Sequence, residues 1–230
     1  ALLDQHRRAL VMGILNRTPD SFSDGGLFSD DRAALAQIQK LADEGADLID
    51  IGAESTRPGS KSISAEEQIA RLGTAVRAAA DLFSVVSIDT TLPDVAAWAL
   101  DQGASVVNRV SLETAAELKA MCAKRGAALV LMHSRGSMGE MRGFSVYEDR
   151  AYGDVVLDVR REWMAAAQKA LDAGLSRGDL IFDPGFGFAK NARQSLALCA
   201  RLNEFLDLGF DVLVGPSRKS FVAAAVKEKG

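Results

Sequence analysis

The sequence predicts an α/β fold of repeated βα units, a TIM-type (β/α)8 barrel whose eighth βα unit is absent from the given chain. Three observations predict it. Short β-branched apolar runs alternate with longer segments whose apolar residues recur three or four apart, which are the strand and helix signatures. Three of the longer segments end in Gly45-Ala46, Gly103-Ala104 and Gly126-Ala127, directly before an apolar run; glycine there supplies the left-handed residue that stops a helix. The apolar runs are continuous rather than alternating, as in a parallel sheet buried on both faces. A flavodoxin-like open sheet satisfies the same alternation with a different closure.

Seven runs qualify as strands. Residues 9–16 end at Asn16; 47–54 carry Asp50 within an apolar run and end at Glu54; 84–90 end in Asp89-Thr90. Residues 105–110 contain Asn108, 127–133 end in Met132-His133, 180–184 end in Asp183-Pro184, and 211–217 run into "GPSRKS". Segment 32–46, "RAALAQIQKLADEGA", typifies the helices between them. The last helix begins near Ser220, so seven βα units are counted, and a barrel without its eighth leaves the first and seventh strands with unpaired edges. Residues 1–230 read as a single domain, a length that one α/β barrel often fills. Apolar residues make up 48% and charged ones 25%, an ordinary globular balance. A net charge of −4 lacks the basic footprint of a nucleic-acid binder. No apolar run reaches the roughly 18 residues of a membrane span, and "ALLDQHRRAL" has no signal-peptide core. Cys122 and Cys199 lie far apart in helical segments and read as two buried free thiols of a cytoplasmic protein.

The strand ends carry the polar residues. In an α/β barrel those ends converge on one face, where active sites sit. A single Asp or Asn at a strand end is explained by capping of the next helix, but polar residues at all seven are not. Asp89, Asn108 and Asp183 offer mainly acceptors, while Arg57, Arg218 and Lys219 add positive charge. A carboxylate recognises a planar N–C–N edge with two hydrogen bonds, so a flat heterocycle with a guanidine-like edge fits Asp183, with Asn108 and Asp89 completing the contact. Loops with Thr18, Ser21, Ser23, Thr56, Arg57, Ser217 and Arg218 suit an anion such as phosphate near helix N-termini. Asn16 suits Mg²⁺, a hard cation that needs few protein ligands when phosphates supply the rest. Cations at Arg218 and Lys219 oppose the dipole of the helix that follows, which again points to an anionic partner.

Read in order, "MGILNRTPDSFSDGG", "DIGAESTRPGS", "SIDT", the Asn of "VVNRV", "LMHSRG", "DPGFGFAK" and "VGPSRKSF" resemble dihydropteroate synthase, the pterin-binding barrel family of folate synthesis. The likeness spans residues 12 to 221. It implies a cytoplasmic, dimeric (β/α)8 transferase, dependent on Mg²⁺ and a target of sulfonamides. Its small-molecule substrates would be 6-hydroxymethyl-7,8-dihydropterin diphosphate and 4-aminobenzoate, its products 7,8-dihydropteroate and pyrophosphate. By this resemblance Asp89, Asn108, Asp183 and Lys219 grip the pterin, and Asn16 serves the metal and diphosphate. Asp89, Asp183 and Lys219 would be catalytic. Thr56 and Arg57 would belong to a mobile loop, and Phe22, Pro58, Phe188 and Ser220 would wall the aminobenzoate site. The stretch from Thr18 to Gly26 looks like a lid over diphosphate and aromatic amine.

The chain departs from the family pattern at Arg109, where Asp is usual, and at Ser195, where Asn is common. The family's last strand brings an Arg and a His that bind diphosphate, and this sequence ends before it. Arg109 puts a cation beside the pterin pocket or points outward, and alternation along a strand favours outward. His133 has two readings, a hydrogen bond to a neighbouring strand end or a role in the site. Segment 135–154 reads as a crossing loop docked by Tyr147 and Tyr152, and Trp98 and Trp163 as core or subunit contacts. A pterin-binding methyltransferase domain shares the barrel but needs neither "TPDSFSDGG" nor "STRPGS". A catalytically silent pterin binder is the other alternative.

Overall fold

The computed structural model describes residues 8–18, 26–54, 62–114, 116–136 and 148–227. Seven strands lie in one parallel sheet in chain order: β1 (Met12–Asn16), β2 (Leu48–Gly52), β3 (Val86–Asp89), β4 (Val106–Arg109), β5 (Ala128–Met132), β6 (Leu180–Asp183) and β7 (Asp211–Val212). Between them run α1 (Gly26–Asp43), α2 (Ala65–Leu72), α3 (Ala75–Leu82), α4 (Pro93–Asp101), α5 (Ala116–Arg125), α6 (Val155–Asp172), α7 (Ala192–Ala200) and α8 (Asn203–Leu206), and α9 (Ser220–Lys227) follows β7. The sheet curls as part of a TIM-type barrel, with β1 and β7 at its edges among the described residues.

Strand parity divides the apolar residues between two cores. Leu15, Ile49, Ile51, Ile88, Val107, Leu129, Leu131 and Phe182 face the helices and are buried with them. Leu48, Val85, Val106, Ala128 and Val130 face inward, with Met12, Ile181 and Leu213 packed against them. Because successive strand residues point to opposite faces, a strand buried on both sides is apolar nearly throughout; β2 and β5 are buried at every position, and Asp50 is the polar exception in β2. Trp163 belongs to the core: its indole donates to the Leu131 carbonyl at 2.8 Å, and its ring meets Phe182 edge-on at 4.9 Å. Trp98 packs partly buried against the same layer.

Local chemistry sets the helix ends. Ser64 caps α2 by accepting from Glu67 N–H at 3.2 Å, and Asp154 caps α6. Asn191 and Gln194 form a reciprocal capping box on α7, which satisfies two otherwise orphaned donors. Gly45, Gly103 and Gly126 take positive φ after their helices, as the Gly-Ala pattern predicts. One sequence expectation is corrected here. Cys122 is buried, its thiol pushed up to about 11 by loss of solvent, but Cys199 is exposed, because α7 turns that position outward.

Candidate active site

Register places the polar strand ends on the inner face. Asn16 pairs with Gly52, Gly52 with Asp89, and Asp89 with Asn108, a continuous row that passes on to Val130 and Ile181. One step higher, Met132 pairs with Asp183. A Cβ placed on Gly52 falls 3.4 Å from the Asp89 Cβ and 3.7 Å from Asn16 Oδ1. Glycine therefore leaves a gap between an amide oxygen and a carboxylate, and Asn16, Asp89, Asn108 and Asp183 share one mouth.

The row rests on a second carboxylate below it. Asp50 accepts from Ser87 Oγ at 2.6 Å and from Asn108 Nδ2 at 3.1 Å. With one amide N–H given to Asp50, Asn108 turns its carbonyl oxygen to the opposite side. Burial raises the Asp50 pKa, against the pull of those two hydrogen bonds. Asp89 is raised well above the usual carboxylate range, first by burial, then by the charges of Asp50 and Glu54, with Arg109 opposing. Two acids this close do not ionise together without help, so the mouth favours a ligand that brings hydrogen-bond donors. Behind Asp89, buried Gln68 donates to Glu54 at 2.7 Å and accepts from Thr90 Oγ1 at 2.9 Å, joining the ends of β2 and β3 through α2.

Asp183 opens the loop 184–190. Its Oδ1 accepts from Gly185 N–H at 2.7 Å. Burial raises its pKa, while Lys219, the Gly185 N–H and Lys190 act the other way. Lys219 donates to the Phe186 carbonyl at 2.7 Å and lies 4.6 Å from the centre of the Phe188 ring. Burial lowers its pKa and Asp183 counters that. An ammonium has three N–H groups, and the Phe186 carbonyl accounts for one of them. Phe188 packs with Val110 and Met132 in a small apolar cluster, so the mouth presents acceptors, a cation and an apolar wall side by side.

Of the residues selected from sequence, Asn16, Asp89, Asn108, Asp183, Phe188 and Lys219 converge here, and Ser220 follows Lys219 at the start of α9. Phe22, Thr56, Arg57 and Pro58 lie outside the described residues, as does Tyr147. Arg109 turns away from the inner face and donates to the carbonyls of Thr91 and Glu113 at 3.1 and 2.8 Å. The His133 side chain is fully buried and bonded to Glu162 on α6 at 3.0 Å and to Lys190 at 2.9 Å rather than to a neighbouring strand end, which its backbone N–H meets instead by donating to the Asp183 carbonyl at 2.8 Å. Tyr152 docks its segment by donating to the Ala189 carbonyl at 3.0 Å. Ser195 supports the loop under Phe188, accepting from Gly187 N–H at 3.0 Å.

Sequence reasoning missed Asp50 and Gln68 as members of the site, and Lys190 and Glu162 as its support. The signal for Asp50 is parity: in "DIGAE" it stands two positions before Gly52 and therefore on the same face. A shallow cleft between α5 and α6, lined by Glu113, Lys119, Glu162 and Lys169, lies on the helical side and holds none of the strand-end residues.

Residues 12–230 match the family model described as pterin binding enzyme. The chain belongs to the pterin binding enzyme family. Among relatives of this family, it is 42% identical over 223 residues to the dihydropteroate synthase of Synechocystis, covering 96% of this chain and 75% of that one. The solved structure of Xanthomonas albilineans dihydropteroate synthase with 4-aminobenzoic acid matches with a TM-score of 0.85 and 36% identity, over 96% of this chain and 77% of that one. The Yersinia pestis dihydropteroate synthase, solved as a sulfonamide drug complex, matches with a TM-score of 0.84 and 37% identity, over 96% and 78%. No helix among the described residues is long and apolar enough to cross a membrane.

Proposed function

We propose that this chain acts as a dihydropteroate synthase, joining 4-aminobenzoate to 6-hydroxymethyl-7,8-dihydropterin diphosphate with release of pyrophosphate. The observation that carries this reading is the convergence of Asp89, Asn108 and Asp183 with Lys219 and Phe188 at one mouth. The N–C–N edge of the pterin donates to Asp183, the pairing carboxylates make with guanidinium groups. Asn108 and Asp89 accept from the rest of that edge, and Lys219 supplies the donor for the ring's acceptor atoms. Phe188, with Val110 and Met132 behind it, gives the aromatic amine an apolar wall. The family resemblance assigns Thr56, Arg57, Phe22 and Pro58, together with Ser220, to the rest of the substrate site.

The reaction exchanges one bond for another at the exocyclic methylene. The C–O bond to diphosphate breaks and pyrophosphate leaves with the electron pair. The neutral amine nitrogen then forms the C–N bond, and the arylammonium gives its proton to water. Asp89 and Asp183 favour the positive charge that the dihydropterin ring shares with the methylene, and their fixed positions supply electrostatic stabilisation without reorganisation. No side chain need act as base, so positioning is the larger contribution. Asn16 presents an exposed amide oxygen above Gly52, a donor that suits Mg²⁺ when substrate phosphates provide most of the coordination. When bound there, the ion supplies charge stabilisation for the departing pyrophosphate.

The same reading makes the enzyme a cytoplasmic homodimer. Its support is the family resemblance, and exposed Leu157 on α6 and Leu206 on α8 are apolar positions that a second copy would cover. The test of function is pyrophosphate release by the full chain. Release that requires both 4-aminobenzoate and pterin diphosphate supports the assignment. Pterin binding without release, under saturating amine and Mg²⁺, contradicts it.

A further inference from the structure

Lys190 is completely buried and lies beneath the mouth without facing it. Its ammonium donates to the carbonyls of His133, Gly185 and Phe188 at 3.1, 3.0 and 2.9 Å, and meets His133 Nδ1 at 2.9 Å. Four acceptors around three N–H groups make a complete cage. His133 Nδ1 must accept from the ammonium, so Nε2 carries the proton and donates to Glu162. Glu162 also pairs with Arg135. A buried cation is costly unless paired and fully hydrogen-bonded, and a packing role alone would be served by Leu or Met.

The loop drawn to Lys190 holds much of the site. It begins at Asp183, offers the Phe186 carbonyl to Lys219, and ends in the Phe188 ring. Its backbone is pressed against β5: a Cβ on Gly185, where φ is +64°, would fall 2.0 Å from the His133 carbonyl oxygen. Ala189 also adopts a positive φ, +49°, a conformation unfavourable for a residue with a side chain. A glycine that no other residue could replace and one strained residue, Ala189, therefore flank a segment that Lys190 ties at both ends.

We propose that Lys190 is a positioning residue for the pterin site, its ammonium fixing the loop of Asp183 and Phe188 to the end of β5. This inference deepens the reading of the site as a pterin cradle and rests on it. The groups that face the ammonium are His133 and Arg135 after β5, Glu162 on α6, Asp183 on β6 and Lys219 before α9. Burial pulls the Lys190 pKa down to about 7, against the attraction of Asp183. Burial and Lys190 itself hold His133 neutral, at about 4. Loss of the Lys190 proton removes a donor from the cage and a positive charge from behind Asp183.

The experiment is titration calorimetry with 6-hydroxymethyl-7,8-dihydropterin, whose own charge is constant from pH 6.5 to 8.5, on the wild type, Lys190→Met and Val76→Ala. Val76 is buried against the helices and serves as a control for lost stability. The wild type should bind several-fold more weakly at pH 8.5 than at 6.5. Lys190→Met should bind at least tenfold more weakly at pH 6.5, with a flat profile, while Val76→Ala binds normally despite a lower melting temperature. Equal affinity of Lys190→Met and wild type at pH 6.5, or a parallel loss in Val76→Ala, overturns the proposal. If Lys190→Met does not fold, Lys190→Gln takes its place: binding at least tenfold weaker at pH 6.5 supports the positioning role, and unchanged affinity overturns it. A wild type that binds no pterin at any pH overturns the reading of the site, and this inference with it.

Discussion

At the scale of single residues, the site is dominated by acceptors, with Asp89, Asn108 and Asp183 at one mouth. Asp183→Asn replaces an acceptor by a donor facing a donor edge, which leaves two buried groups unsatisfied at about 1–3 kcal/mol. Pterin affinity should fall roughly ten- to hundredfold by calorimetry, with the melting temperature little changed; retained affinity contradicts the assignment. Asp89 makes a different prediction. Its pKa is raised by burial and by Asp50 and Glu54, and accepting from a pterin N–H favours its ionised form. Binding near the raised pKa should therefore release protons, and affinity should weaken as the pH falls through it. Binding heats that do not vary with buffer ionisation enthalpy would contradict this. Asp89 and Asp183 were legible in the sequence because each interrupts an apolar run at its end, and Asn108 because with Arg109 it breaks the run 105–110. Asp50 was not selected because it lies inside a run, where only knowledge of the register reveals which face it shares.

At the scale of elements, the turn after β6 is the most demanding. Gly185→Ala meets both a positive φ and the His133 carbonyl, and the left-handed conformation alone costs about 1–2 kcal/mol. Urea denaturation should show a loss above that range, accompanied by loss of pterin binding; a variant as stable as the wild type would mean the loop does not press on β5. The burial of His133 beside Lys190 sets an acid limit. The folded-state pKa of His133 is lowered to about 4 from an ordinary value near 6.5, so the unfolded chain binds the proton first. Its contribution is present above pH 6.5 and is lost as the pH falls from there through 4, at most about 3 kcal/mol. His133→Gln should flatten that limb of the stability curve. The strands themselves were legible, though drawn too long: 9–16 shrinks to Met12–Asn16, and 211–217 to Asp211–Val212. An edge strand has a partner on one side only, so its apolar sequence outruns its ladder. Lys190 was hidden for a related reason. A lysine before an Asn cap reads as a solvated loop end, and only the folded backbone shows three carbonyls closing on it.

For the whole molecule, the central claim is that a parallel, in-register sheet gathers residues from Asn16 to Lys219 at one end and makes a single cradle of them. A ligand bound only by the folded chain stabilises it by about 2.7 kcal/mol at a hundredfold excess over Kd, so a dihydropterin should raise the unfolding midpoint. Aminobenzoate alone should raise it less, because its wall is one ring and two apolar side chains. The most direct measurement is a crystal structure of the chain with 6-hydroxymethyl-7,8-dihydropterin diphosphate bound. The account predicts the N–C–N edge of the ring on the Asp183 carboxylate, Asn108 and Asp89 within hydrogen-bond distance, and the diphosphate towards Asn16. A ring bound away from those three side chains would contradict it.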